Sequence, residues 1–181
     1  TLRVVGGLST DDIAKAFLVP KSTVAQRIVR AKKTLAGVAF EVPDRSEWPQ
    51  RMSTVLSVIY LIFNEGYAAS SGRLWFREEL CAEALRLGRV LAALAPDEAE
   101  VHGLVALMEF QSSRLRARVD AEGAPILLEN QDRTRWDRAQ IQRGVTALGA
   151  AAQALQRRGS GWGPYALQAA LAECHAVAPS T

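Results

Sequence analysis

A chain of 181 residues, 49% of them apolar, has room for one large domain or for a small and a medium one, and enough apolar material for a core. No apolar run approaches the roughly 20 residues that span a bilayer, and no secretory signal pattern is present; a cytoplasmic protein with no membrane partner is expected. The net charge of +3 is unevenly spread: residues 1–40 hold seven of the 22 basic residues and only two of the 19 acidic ones, the footprint of a nucleic-acid module joined to something else.

The chain begins at Thr1 in the middle of a pattern and reads as a piece of a longer protein. Leu2 to Val5 reads as the end of a helix closed by Gly6 and Gly7. Ser9 or Thr10 can cap a short helix whose first turn holds Asp11 and Asp12, with Ile13, Ala14 and Phe17 as its apolar stripe. Leu18 and Val19 make a turn. Pro20 suits the start of a second helix running to about Leu35. There Val24, Ile28, Ala31 and Leu35 recur at helical spacing and face inward, while Thr23, Gln26, Arg27 and Arg30 face out. This is a helix-turn-helix, in which the second helix needs an apolar back to be held and donors in front for base edges and phosphates. An amphipathic surface helix with a solvated basic face is the alternative.

Gly37, Pro43, Asp44, Ser46 and Pro49 mark a linker. Gln50 to Phe63 is apolar on nearly every side and is expected to be a central, buried helix ended by Gly66. A loop follows to Arg77, with Ser70, Ser71 and Gly72. Glu78 to Leu94 is amphipathic, with Leu80, Ala84, Leu87, Leu91 and Leu94 in register. After Pro96 another helix runs to about Leu115. Val119–Asp120, Glu122–Gly123 and Ile126–Leu128 predict a small β-hairpin, with Pro125 confining one strand to an edge. A helix from Trp136 carries Ile141, Val145, Leu148, Ala152 and Leu155. After a glycine-rich turn, Pro164 opens a last helix with Leu167, Leu171 and Cys174 on one face. The fold class expected is all-α: a helix-turn-helix over 1–37, a linker over 38–48 and a multi-helix, tetratricopeptide-like domain with one β-hairpin over 49–181.

Gly7-Leu8-Ser9, Asp12-Ile13-Ala14, Thr23-Val24, Arg27, Arg30-Ala31 and Leu35 together resemble region 4 of extracytoplasmic-function (ECF) sigma factors, over nearly all of residues 1–36. Ser22 stands where that family commonly has glycine, and Ala25 where it commonly has a basic residue. The resemblance implies that the second helix reads the −35 element of duplex promoter DNA through Lys21, Ser22, Thr23, Gln26, Arg27 and Arg30, with Lys33 in support, and that RNA polymerase core is a partner. The first helix of region 4 is only partly present. Tyr60 to Tyr67, Leu80 to Ala84, Gln131-Asp132-Arg133 with Trp136-Asp137, and Gly163-Pro164-Tyr165 with Leu167 to Ala170 resemble the C-terminal extension of one ECF subgroup. In that subgroup a tetratricopeptide-like domain follows region 4, which implies a regulatory or polymerase-contacting extension and a protein or peptide partner for it.

Two constellations compete for a second role. Asn64 and Glu65, at the end of an apolar helix, need partners, and Arg77, Arg133 or Tyr67 could serve. Asp132, Arg133, Trp136 and Asp137 form a second group. Each reads either as a pocket or as a structural network, the latter favoured because helix starts and ion pairs use the same residues. Cys81 and Cys174 read as buried apolar side chains in a reducing compartment. No metal site, cofactor or catalytic set is expected. Two rival functions remain: a one-component, ligand-sensing transcriptional regulator, which would bind a palindrome as a dimer, and a helical protein-binding adaptor.

Overall fold

The computed structural model describes residues 1–39, 41–68, 76–159 and 161–178; Ser70, Ser71 and Gly72 of the expected loop lie outside them. The described residues form seven α-helices: α1 (Thr10–Ala16), α2 (Lys21–Leu35), α3 (Trp48–Tyr67), α4 (Glu78–Leu94), α5 (Ala99–Ser112), α6 (Arg138–Arg158) and α7 (Pro164–Val177). The all-α expectation holds, and no helix among the described residues is long and apolar enough to cross a membrane.

Local chemistry sets most helix ends. Ser9 caps α1 through a reciprocal box: its hydroxyl accepts from the Asp12 amide at 3.0 Å and its own amide donates to Asp12 Oδ2 at 2.8 Å. Asp137 caps α6 by accepting from the Gln140 amide at 3.0 Å, and Gly159 ends that helix at φ 62°. The chain just ahead of α3 is tied locally: the Trp48 indole donates to the Pro43 carbonyl at 3.1 Å, and Arg45 lies over the Trp48 ring.

Each helix from α3 to α7 packs on its neighbour in sequence, and α5 also packs closely on α7. The central element is α5, buried on all sides from Val101 to Phe110 except at His102. The Gln50–Phe63 helix, expected in that place, is an outer and amphipathic one. Met52, Leu56, Ile59, Ile62 and Phe63 face the core while Val55 is exposed. It also runs through Gly66 to Tyr67, since Gly66 serves close packing there. A Cβ at that position would lie 2.7 Å from the Cys81 amide nitrogen.

Several expected faces turn out differently. In α2 only Val24 is buried; Ile28 is half-buried, while Ala31 and Leu35 are exposed, α1 being the helix that packs closely on α2 among the described residues. Phe17 caps α1 and is half exposed, and Leu94 on α4 is exposed. In α7 the buried face is Ala166, Ala169 and Ala176, and Leu167, Leu171 and Cys174 point outward. The reason is distance. A Cβ on Gly103 of α5 would meet Ala166 backbone at 2.6 Å, so the two helices are too close for leucines between them. Cys174 is therefore exposed, contrary to expectation, whereas Cys81 is buried.

The β-hairpin does not form: the described residues contain no strand, only an isolated bridge between Val119 and Pro125. Pro125 has no N–H for a ladder. Asp120 Oδ1 instead accepts from the Glu122 and Ala124 amides at 3.1 and 2.7 Å, tightening the loop. The chain then enters a 3-10 turn at Leu128–Asn130.

Candidate nucleic-acid interface

α1 and α2 meet at a tight turn. Its pivot is Leu18, in the left-handed region at φ 52° and almost fully exposed. A non-glycine residue there costs about 1 kcal/mol, which packing of Leu8, Ile13, Ala14 and Val24 into the main core offsets.

With 100° per residue, α2 presents Ser22, Gln26, Val29, Arg30 and Lys33 on the side opposite Val24 and Ile28. Thr23 and Arg27 flank that face on one side, Lys21 and Lys32 on the other. Thr23 is half-buried; Lys21, Ser22, Gln26, Arg27, Arg30 and Lys33 are exposed. Lys21 lies 4.0 Å from Asp11, at the edge of an ion pair. Arg27, Arg30, Lys32 and Lys33 form no ion pair among the described residues. Four cations along one helix of about 22 Å, unmatched by carboxylates, make a strip of positive potential suited to a polyanion. Val29, 67% exposed, was not among the predicted contacts. It falls outside the Val24–Leu35 periodicity, which was the available signal, and a methyl-bearing side chain beside Gln26 can meet a thymine methyl.

The module is joined to the helical layer. Asp12, 2% exposed, lies 3.4 Å from Arg77 Nη1 at the start of α4, and Arg77 also reaches Glu79 at 3.2 Å. A Cβ on Gly6 would collide with Ile62 of α3 at 2.7 Å.

The remaining predicted residues fall at separate places. Glu65 is buried and Asn64 half-buried at the end of α3. Tyr67 stacks on Phe63 with ring centroids 5.6 Å apart and carries the Arg118 guanidinium 3.7 Å from its ring centroid. Arg118 also donates to the Tyr67 carbonyl, and burial pushes its pKa below the usual guanidinium value. Arg77 belongs to the link with Asp12. Asp132 accepts from the Thr134 amide and hydroxyl, and these bonds hold its carboxyl below the ordinary range. Arg133 lies 4.5 Å from the Trp136 ring centroid and donates to the His175 carbonyl, tying α7 to the turn before α6.

Comparison with known proteins matches residues 1–35 to Sigma-70, region 4, and residues 51–152 to a family of unknown function (DUF6596). An uncharacterized protein of Rhizobium meliloti (strain 1021) is 48% identical over 179 residues, which is 98% of this chain and 41% of that protein. The chain thus spans about two fifths of that curated relative. No solved structure matches it. With more than half of its length matched, the chain belongs to the DUF6596 family of unknown function, and it carries a sigma-factor-like region 4 ahead of that domain.

Proposed function

We propose that this chain is the promoter-reading and regulatory part of an ECF-type sigma factor, acting with RNA polymerase core in the cytoplasm. The observation that carries the reading is the outer face of α2, where Arg27, Arg30 and Lys33 form no ion pair among the described residues, within a segment matched to region 4. The helix enters the major groove of the −35 element. Gln26, Arg30 and Val29 meet base edges, and Lys21, Ser22, Thr23, Arg27 and Lys33 fix the register on phosphates. The α3–α7 layer acts as a tetratricopeptide-like regulatory domain that takes a protein or peptide partner. Support for that part is the packing of α5 on both α6 and α7, the pattern of stacked helical hairpins.

Binding of the intact protein to a promoter duplex, followed by fluorescence anisotropy, tests the reading. Arg30→Ala is expected to weaken binding by about 1–3 kcal/mol and relax preference at one base pair. Arg27→Ala should weaken all duplexes alike and lower the slope of log K against log salt by about 1. If neither substitution alters binding, with or without core polymerase, α2 is not the reading helix. Run-off transcription by the intact protein with core polymerase checks the step beyond binding.

A further inference from the structure

A cleft in the helical layer takes no part in the DNA reading. It lies between α4, α5, the 3-10 turn Leu115–Ala117 and the start of α6, and has a volume of about 500 Å³. That is the size of a small-molecule site, and α2 contributes nothing to it. Four guanidinium groups line it: Arg89 from α4, Arg116 from the turn, Arg135 from the segment ahead of α6, and Arg143 from α6.

Two of the four are held in place. Glu109 of α5 is 1% exposed, and its carboxylate accepts from Arg89 Nε at 3.0 Å and from Arg143 Nε at 3.3 Å. One carboxylate between two arginines leaves a positive excess. Arg116 and Arg135 are exposed and form no ion pair among the described residues, though the charge of Arg135 acts on the nearby Asp132 carboxylate. Of the acidic groups on the wall, Asp137 caps α6 and Glu78 stands at the edge near Cys81; with Glu109 they make three carboxylates against four guanidinium groups, a small positive excess.

A second observation is independent of the charge. Trp136 and Ser112 both line the cleft and are 4% and 6% exposed, yet the indole Nε1 and the hydroxyl have no hydrogen-bond partner among the described residues. Buried donors without acceptors are uncommon in native interiors and call for an explanation.

We propose that this cleft binds a small molecule through its oxyanion group, a carboxylate or a phosphate. Arg116 and Arg135 grip the oxygens, and the Arg89–Glu109–Arg143 cluster forms the fixed wall behind them. A guanidinium fork matches a pair of oxygens in geometry as well as charge. A partly desolvated cleft strengthens each contact over its value in water. The oxyanion also offers acceptors to the Trp136 indole and the Ser112 hydroxyl, which reach them by a local shift that opens these two buried atoms to the cleft. The site stands or falls independently of DNA binding by α2.

The test is a titration of the whole 181-residue chain, ¹⁵N-labelled at tryptophan, with succinate and with inorganic phosphate at constant ionic strength. Comparison with Trp136→Phe assigns the Trp136 indole resonance. A saturable shift of that resonance is expected with at least one of the two. Succinate alone identifies a carboxylate site and phosphate alone a phosphate site. Arg116→Ser with Arg135→Ser should weaken the apparent Kd at least tenfold. Arg157→Ser, which removes a partner of Asp97 outside the cleft, should leave it unchanged. Both cleft arginines are exposed, so the double variant keeps its fold, as its helical circular dichroism will report. No saturable shift with either anion, or an undiminished shift in the double variant, overturns the proposal.

Discussion

At position 81 the thiol is enclosed by α3, 2% exposed and 3.9 Å from the Phe63 carbonyl. Burial raises its pKa from 9.0 to about 12, with the nearby Arg118 charge only partly opposing. Because the folded value is the higher one, the stability that this thiol contributes is complete below pH 9 and is lost as pH rises towards 12. The thiolate is the reactive form, so at pH 8 a thiol reagent should modify Cys174 rapidly and Cys81 only after unfolding. Equal rates for the two in the native protein would contradict the burial. Position 81 was readable as apolar from its neighbours in sequence. Position 174 was misread because it shares a helical stripe with Leu167 and Leu171, and a stripe alone does not say which face a neighbour covers.

Among the elements, α5 and α7 make the closest approach. Gly103→Ala would set a methyl 2.6 Å from the Ala166 nitrogen and 2.7 Å from its Cα, both backbone atoms of α7. The helices would have to separate, and the expected loss is about 2–3 kcal/mol, larger than the gain of about 1 kcal/mol in helix propensity. Gly149 on α6 is the matching control, because an added Cβ there meets nothing within 4 Å. Gly149→Ala should stabilise by about 0.5–1 kcal/mol. Urea unfolding of the two variants checks the pair; the same sign for both would refute the close approach. Existence and order of the helices were legible because caps, prolines and glycines act within a turn or two. The Ser9–Asp12 box and the Asp137 cap are local in this sense. The hairpin was not, because whether Val119 and Ile126 extend a ladder depends on what else can accept and donate beside them.

Across the whole molecule, the region 4 module is built into the same core as α3 and α4. Leu8, Ile13, Ala14 and Val24 share that core with Ile59, Ile62, Phe63 and Leu80, and Asp12–Arg77 bridges the two parts at a site where Asp12 is buried. Arg77→Met is expected to cost about 1–2 kcal/mol, discounted for the partial exposure of Arg77. A double-mutant cycle with Asp12→Asn should return a coupling of at least about 0.5 kcal/mol. Two additive single effects would mean that the ion pair does not join the parts. The same architecture predicts one cooperative unfolding transition for the chain.

The residues by themselves determined the helical class, the turn between α1 and α2, the cationic character of the second helix and the likeness to region 4. The first three follow from spacing and charge within a few residues of chain, and the last is a resemblance carried by particular residues from Gly7 to Leu35. Which helix became the centre, which face of α7 turned inward, and the assembly of Arg89, Glu109, Arg116, Arg135 and Arg143 around one cleft were decided only in three dimensions. Those residues come from three helices and two turns, up to 54 positions apart. No local pattern encodes a meeting that depends on how closely α4, α5 and α6 can pack.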